Sequence, residues 1–154
     1  MARTSDRSGT VGIIVIVVGV IFAVAGVVTY FIVADQLAAE NIKVSDDATY
    51  FAGQDVTGPF TAYSEAETIN KHALEATDGK TYAELDKEDP LRAVAMNGSF
   101  LRASLFTSVV AFGVAALVVG VGVVFGLIGF ALRRLAPTAA TAPEAVDENR
   151  LASV

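Results

Sequence analysis

No cysteine occurs in the 154 residues, and histidine occurs once, as His72. The first absence excludes disulfide staples, thiolate zinc or iron–sulfur sites and cysteine nucleophiles. The second excludes, within one chain, a three-histidine zinc site and an iron site of two histidines and one carboxylate. A lone histidine on a polar segment reads as a surface residue. No Gly-x-Ser-x-Gly turn is present to carry a serine nucleophile. An EF-hand is excluded too, because setting Gly79 at the sixth loop position puts Leu74 where an aspartate belongs.

Charge is missing from two long stretches. Val11 to Val33 runs for 23 residues, and Ala103 to Leu132 for 30, without one ionised side chain. Pumps, transporters and proton relays place ionisable groups inside such stretches. Here the polar groups are Thr29, Tyr30, Ser104, Thr107 and Ser108, all near one end of a run. That pattern argues against a transport path through one chain.

What is present is apolar bulk, with 53% hydrophobic residues and a mean hydropathy of +0.54. A helix rises about 1.5 Å per residue, so roughly 20 residues cross a hydrocarbon layer about 30 Å thick. Both runs are long enough, and neither alternates as a barrel strand does. The expected fold is a mainly α membrane protein: a two-helix transmembrane hairpin with a small extracytoplasmic α(+β) cap between the spans. The divisions are a short basic N-terminus over 1–10, spans over 11–33 and 103–132, an acidic loop over 34–102, and a disordered tail over 133–154. The apolar start outlasts a secretory signal core, so it reads as an uncleaved signal anchor.

The net charge is −6. The loop holds thirteen acids against six bases. Such a surface repels phosphate backbones, which excludes nucleic acid as a partner, and it keeps a small external unit soluble. Basic clusters favour the cytoplasmic side, and Arg3 and Arg7 precede the first span while Arg133 and Arg134 close the second. Lys43, Lys87, Arg92 and Arg102 stand near the outer ends and oppose that vote. The compact clusters place both termini in the cytoplasm and the loop outside the plasma membrane.

Within the loop, Asp35 to Glu40 extends the first helix beyond the membrane surface. Asn41 to Val44 alternates as a short strand does, with a second short strand around Tyr50-Phe51. Ser64 and Glu67 form a capping box for a helix ending near Ala76. Its small-residue stripe, Ala62, Ala66, Ile69, Ala73 and Ala76, suits close packing on another helix. Asp89-Pro90 opens the second long helix, with Gly98 its weak point.

In lipid, small residues mark helix contacts because apolar side chains gain nothing by meeting each other. Gly12, Gly19 and Gly26 recur every seven residues, and so do Gly113 and Gly120 with Ala116 between them. These two rows are the expected seam. Gly122-x-x-x-Gly126, with Gly129 beyond, has the spacing of a close-approach dimer motif.

Several loop segments are familiar as a set: Tyr50-Phe51-Ala52-Gly53, Val56 to Tyr63, Ile69 to Ala76, Thr81 to Asp86, and Ser99 to Ser108. Over roughly 11–134 the chain resembles a family of small two-span actinobacterial membrane proteins, often catalogued as aromatic ring-opening dioxygenases. The resemblance implies that label without its chemistry, since extradiol cleavage needs iron held by two histidines and a carboxylate. The expectation is therefore a non-enzymatic protein with no catalytic residue, metal or cofactor. Its expected partners are the bilayer and a larger membrane or envelope protein. A homo-oligomeric, channel-like assembly is the alternative, since the layout of the chain is similar to that of large-conductance mechanosensitive channels.

Overall fold

The uncharged runs are built of Val, Ile, Leu, Ala and Gly, and a helix pairs the backbone groups of such a segment internally. A computed structural model describes residues 3–135, and the side chains of residues 9–135. The tail over 136–154 lies outside the described residues, as do the side chains of Arg3 and Arg7. The described chain is mainly helical: α1 (Arg3–Ala39), α2 (Pro59–Ala76) and α3 (Arg92–Leu135). Most of the expected basic lead over 1–10 is thus the opening of α1.

Two helices, α1 and α3, are long and apolar enough to cross a membrane. Only 17% of the most apolar window of each is buried, whereas the core helix of a soluble protein would be mostly covered. Ile14, Val20, Ile21, Val110, Leu117 and Leu127 all face outward.

Glycine sets how these two helices meet. A Cβ placed on Gly12 would stand 2.8 Å from the Gly129 carbonyl oxygen, and one on Gly26 2.7 Å from that of Ala115. On Gly19 it would stand 2.6 Å from the carbonyl oxygen of Gly122. Each step of seven forward on α1 is answered by a step of seven back on α3, so the pair is antiparallel with its backbones in near contact. The α1 row is the one expected.

The α3 row is not. Gly113, Gly120 and Gly126 would each carry a Cβ into open space, and Ala116 is exposed. The α3 side of the seam is Ala115, Gly122 and Gly129. Gly122 is therefore a contact within the chain, while its motif partner Gly126 points a side-chain position away. Both α3 rows have a spacing of seven, and the choice between them follows from Leu105 and Phe112, which put bulk on the buried face.

Toward the cap the seam fills with larger groups. Tyr30 lies against Phe112, ring centroids 4.8 Å apart, and Leu37 on α1 and Leu105 on α3 are each buried about two turns further on. These join Val44, Val56, Ala62 and Ala66 in one core. Burying a valine or leucine fully is worth roughly 1.5–3 kcal/mol, so Val44 and Val56 tie the loop firmly to the helices.

The loop departs from expectation at three places. Residue pairing around Lys43 is with Asp55, as a single antiparallel bridge: Val44 N–H donates to Gln54 O at 2.8 Å, and Val56 N–H to Ile42 O at 2.9 Å. No strand forms among the described residues. Tyr50-Phe51 belongs to the turn between the paired segments, where Phe51 has φ of 60° and Gly53 of 73°. Second, α2 opens earlier than the Ser64 box. Pro59 occupies its first turn and Thr61 Oγ1 accepts the Gly58 N–H at 3.2 Å. Ser64 is buried instead, its hydroxyl donating to Tyr50 O at 2.6 Å. Third, Asp89 caps a turn ahead of α3, accepting Leu91 N–H at 2.8 Å, and the helix proper follows from Arg92.

Most of the small-residue stripe of α2 is packed, with Ala62 and Ala66 buried, Ile69 against the core and Ala73 against α3, whereas Ala76 is exposed. Gly98 is the contact point: a Cβ there would stand 2.6 Å from that of Ala73. Glycine at that position admits the second helix.

Replacing Gly122 by Ala is expected to cost about 1–3 kcal/mol through overpacking. Gly120→Ala should be neutral or slightly stabilising, because alanine is the better helix former and its methyl meets nothing. Reversible unfolding in detergent micelles measures both; equal effects would contradict this seam.

Candidate interaction surfaces

The cap carries the polar chemistry of the chain. Asp47, on the loop, receives Lys71 Nζ at 3.1 Å and meets His72 Nε2 at 2.8 Å, both from the exposed face of α2. His72 is therefore a surface residue with a partner. The hydrogen bond with His72, then that with Lys71, holds the Asp47 carboxyl below its ordinary range. The same Asp47 bond raises the Lys71 ammonium above its own. All three groups are open to solvent, so the cluster is a weak tie.

Glu65 makes the firmer one. It is 6% exposed, accepting Ser45 N–H at 2.6 Å and Ser45 Oγ–H at 3.0 Å. A buried acid so engaged fastens the loop to α2, and removing it would strand two donors at about 1–3 kcal/mol. Farther along, Glu84 accepts both Thr81 N–H and Thr81 Oγ–H at 2.8 Å, which lowers its carboxyl. Glu84 thus closes a turn. Among the described residues, no group of three or more His, Asp or Glu side chains stands together as a metal ligand set.

Several recesses lie around this frame. One, of about 670 Å³, is lined by Tyr50, Phe51, Phe60 and Tyr63 with Asp47 and Lys71 at its rim. A second, of about 580 Å³, lies between the top of α1 and α3, lined by Leu37, Ile42, Ile69, Phe100 and Leu101 with Glu40. A third, of about 340 Å³, is an apolar notch over the seam between Tyr30, Phe31, Ala116 and Val119. Ahead of the uncharged run, α3 also exposes Met96 and Phe100, the latter by 73%.

The basic residues expected to mark the cytoplasmic ends stand together as far as they are described. Arg133 lies beside Gly12, its Cγ 2.8 Å from where a Cβ would sit, and the Arg134 guanidinium is 5.0 Å from the Phe130 ring centre. The backbone of Arg7 is a little over one turn from Gly12 on α1, so the charged ends of both helices share one height.

Two groups escaped the sequence reading. Ala115 completes the seam with Gly122 and Gly129, which the sequence reading assigns to a dimer motif, and its spacing of seven from Gly122 was the available signal. Glu65 had none, because its partner Ser45 is twenty residues away. The chain matches no protein-family model, no curated protein and no solved structure.

Because the folded Asp47 pKa is lowered, its contribution to stability is present above the unfolded value and lost as pH falls through the folded one. Because that of Lys71 is raised, its contribution is present below the unfolded value and lost as pH rises through the folded one. Hydrogen exchange over residues 44–56 should thus show a protection increment across neutral pH that fades at both extremes. In Asp47→Asn that increment should be absent; an unchanged pH profile would contradict the tie.

Proposed function

We propose that this chain is a two-span plasma-membrane protein, with its cap outside and both termini in the cytoplasm, that acts as a non-enzymatic interaction subunit of a membrane or envelope complex. The outward apolar faces of α1 and α3 support the spanning. Aligned charges at their shared ends, with Arg133 and Arg134 on one side and an acidic cap on the other, support the orientation.

The observation that carries the interaction role is apolar surface beyond the membrane reach. Met96 and Phe100 precede Arg102, the charge before the uncharged run, and neither packs into the core. Phe100 lines the neighbouring recess of Leu37, Ile42 and Ile69 beside Glu40, and Met96 is exposed one turn before it on α3. Exposed aromatic anchors set in grooves are the usual energetic centres of protein interfaces. Ring-opening chemistry is no part of this reading, because His72 leaves an iron site one histidine short.

A homo-oligomer is the second reading, favoured by the uncovered row Gly113, Ala116 and Gly120 on the outer face of α3. Small residues of that kind allow a second helix to approach.

The mass of the assembly, extracted gently from its own membrane, separates the two. One co-purifying protein at fixed ratio is expected, and Phe100→Asp should release it while the chain's own thermal stability holds. A ring of identical copies insensitive to Phe100→Asp would favour the oligomer instead. Single cysteines at Asp55 and Thr138 test the orientation with an impermeant thiol reagent on intact cells. Asp55→Cys should label and Thr138→Cys should not; the reverse would overturn the topology.

A further inference from the structure

The contacts between α2 and α3 give a height scale for the cap. Ala73 lies beside Gly98, Glu67 reaches Arg102 at 3.5 Å, and the Tyr63 ring meets Phe106 edge-on with centroids 5.7 Å apart. The two helices are therefore antiparallel, and α2 descends along α3 toward its own first turn. Three residues before Tyr63, Phe60 comes level with Val109 or Val110. That is six or seven residues past Ala103, about 10 Å inside the uncharged run at 1.5 Å per residue.

The other long helix gives the same height independently. Tyr30 lies against Phe112, and the seam steps backward on α3 as it goes forward on α1, so Val33, the end of the α1 run, stands close to Val109. This also accounts for the greater length of the α3 run. Its first turns, including Leu105 and Phe106, are packed under α2 and the loop core.

Near this height two elements present three rings that the protein leaves uncovered. Phe31 projects from α1, while Phe60 and Tyr63 project from the first turns of α2 at 73% and 51% exposure. Aromatic side chains at one level, where the apolar runs end, have the arrangement of an interfacial belt. Water is a poor neighbour for Phe60, and acyl chains meeting head groups are a good one.

We propose that the first turn of α2 is seated in the outer interfacial layer of the bilayer, with Phe60 and Tyr63 in direct contact with lipid. The cap then rests one edge in the membrane, and the aromatic recess opens at the level of the head groups. This inference rests on the spanning reading.

The chain contains no tryptophan, so a single one reports its own depth. Three variants are reconstituted in phosphatidylcholine vesicles containing lipid brominated high on the acyl chain: Phe60→Trp, Ile21→Trp in mid-span, and Tyr82→Trp beside Arg92. The expected result is blue-shifted, strongly quenched emission from Phe60→Trp and Ile21→Trp, and unquenched emission from Tyr82→Trp. Quenching of Ile21→Trp alone would overturn the seated edge and leave the spans standing. No quenching at any site would overturn both, and quenching at all three would overturn a cap that only its edge anchors. Should Phe60→Trp fail to fold, Tyr63→Trp reads the adjacent level, about 4.5 Å above it.

Discussion

Backbone-to-backbone approach along one glycine seam organises this molecule. Where Gly19 meets Gly122, neither helix has room for a methyl group, so both the register and the separation of α1 and α3 are set by main-chain atoms. Lipid offers apolar side chains no reason to prefer each other, which leaves close van der Waals contact as the force that selects a partner. Everything outside the apolar runs inherits its position from that register. Tyr30 finds Phe112, Leu37 and Leu105 come to lie under the loop, and Arg133 arrives beside Gly12.

The cap is a second use of the same device. Gly98 lets Ala73 onto α3, and the wholly buried Ala62 and Ala66 let α2 lie close to the rest of the core. Polar ties then fasten the loop to α2, the buried Glu65 with Ser45 and the solvated Asp47 with Lys71 and His72. These groups all have structural partners. Function on this account lies in surfaces: a wide apolar mantle on the long helices, an aromatic edge on α2, and the Met96–Phe100 stretch above.

Much of this was legible in the residues. The two uncharged runs mark the long helices, the seven-residue glycine row marks the contact face of α1, and the alanine stripe marks that of α2. The α3 face was ambiguous because Gly113–Gly120 and Gly122–Gly129 repeat alike. Periodicity cannot tell a glycine turned to the partner from one turned outward. The start of α2 was misjudged because Ser64 and Glu67 have the capping spacing, yet Ser64 spends its hydroxyl on Tyr50, fourteen residues away. Contacts across such separations leave no local pattern. The strand partner failed for the opposite, local reason, since the positive φ of Phe51 and Gly53 turns the chain where pairing was expected. The polar ties of the cap were illegible for the same cause as Ser64, being pairs of distant residues.

Since the chain has no cysteine, paired cysteines introduced at Tyr30 and Phe112 test the seam directly in the native membrane. Mild oxidation should join them within one chain, giving a faster-migrating monomer on a non-reducing gel, while Val28→Cys with Val114→Cys, on outward faces, should stay reduced. Cross-linking of the outward pair within the chain, or of Tyr30→Cys to Phe112→Cys only between chains, would contradict an intramolecular glycine seam as the organising contact.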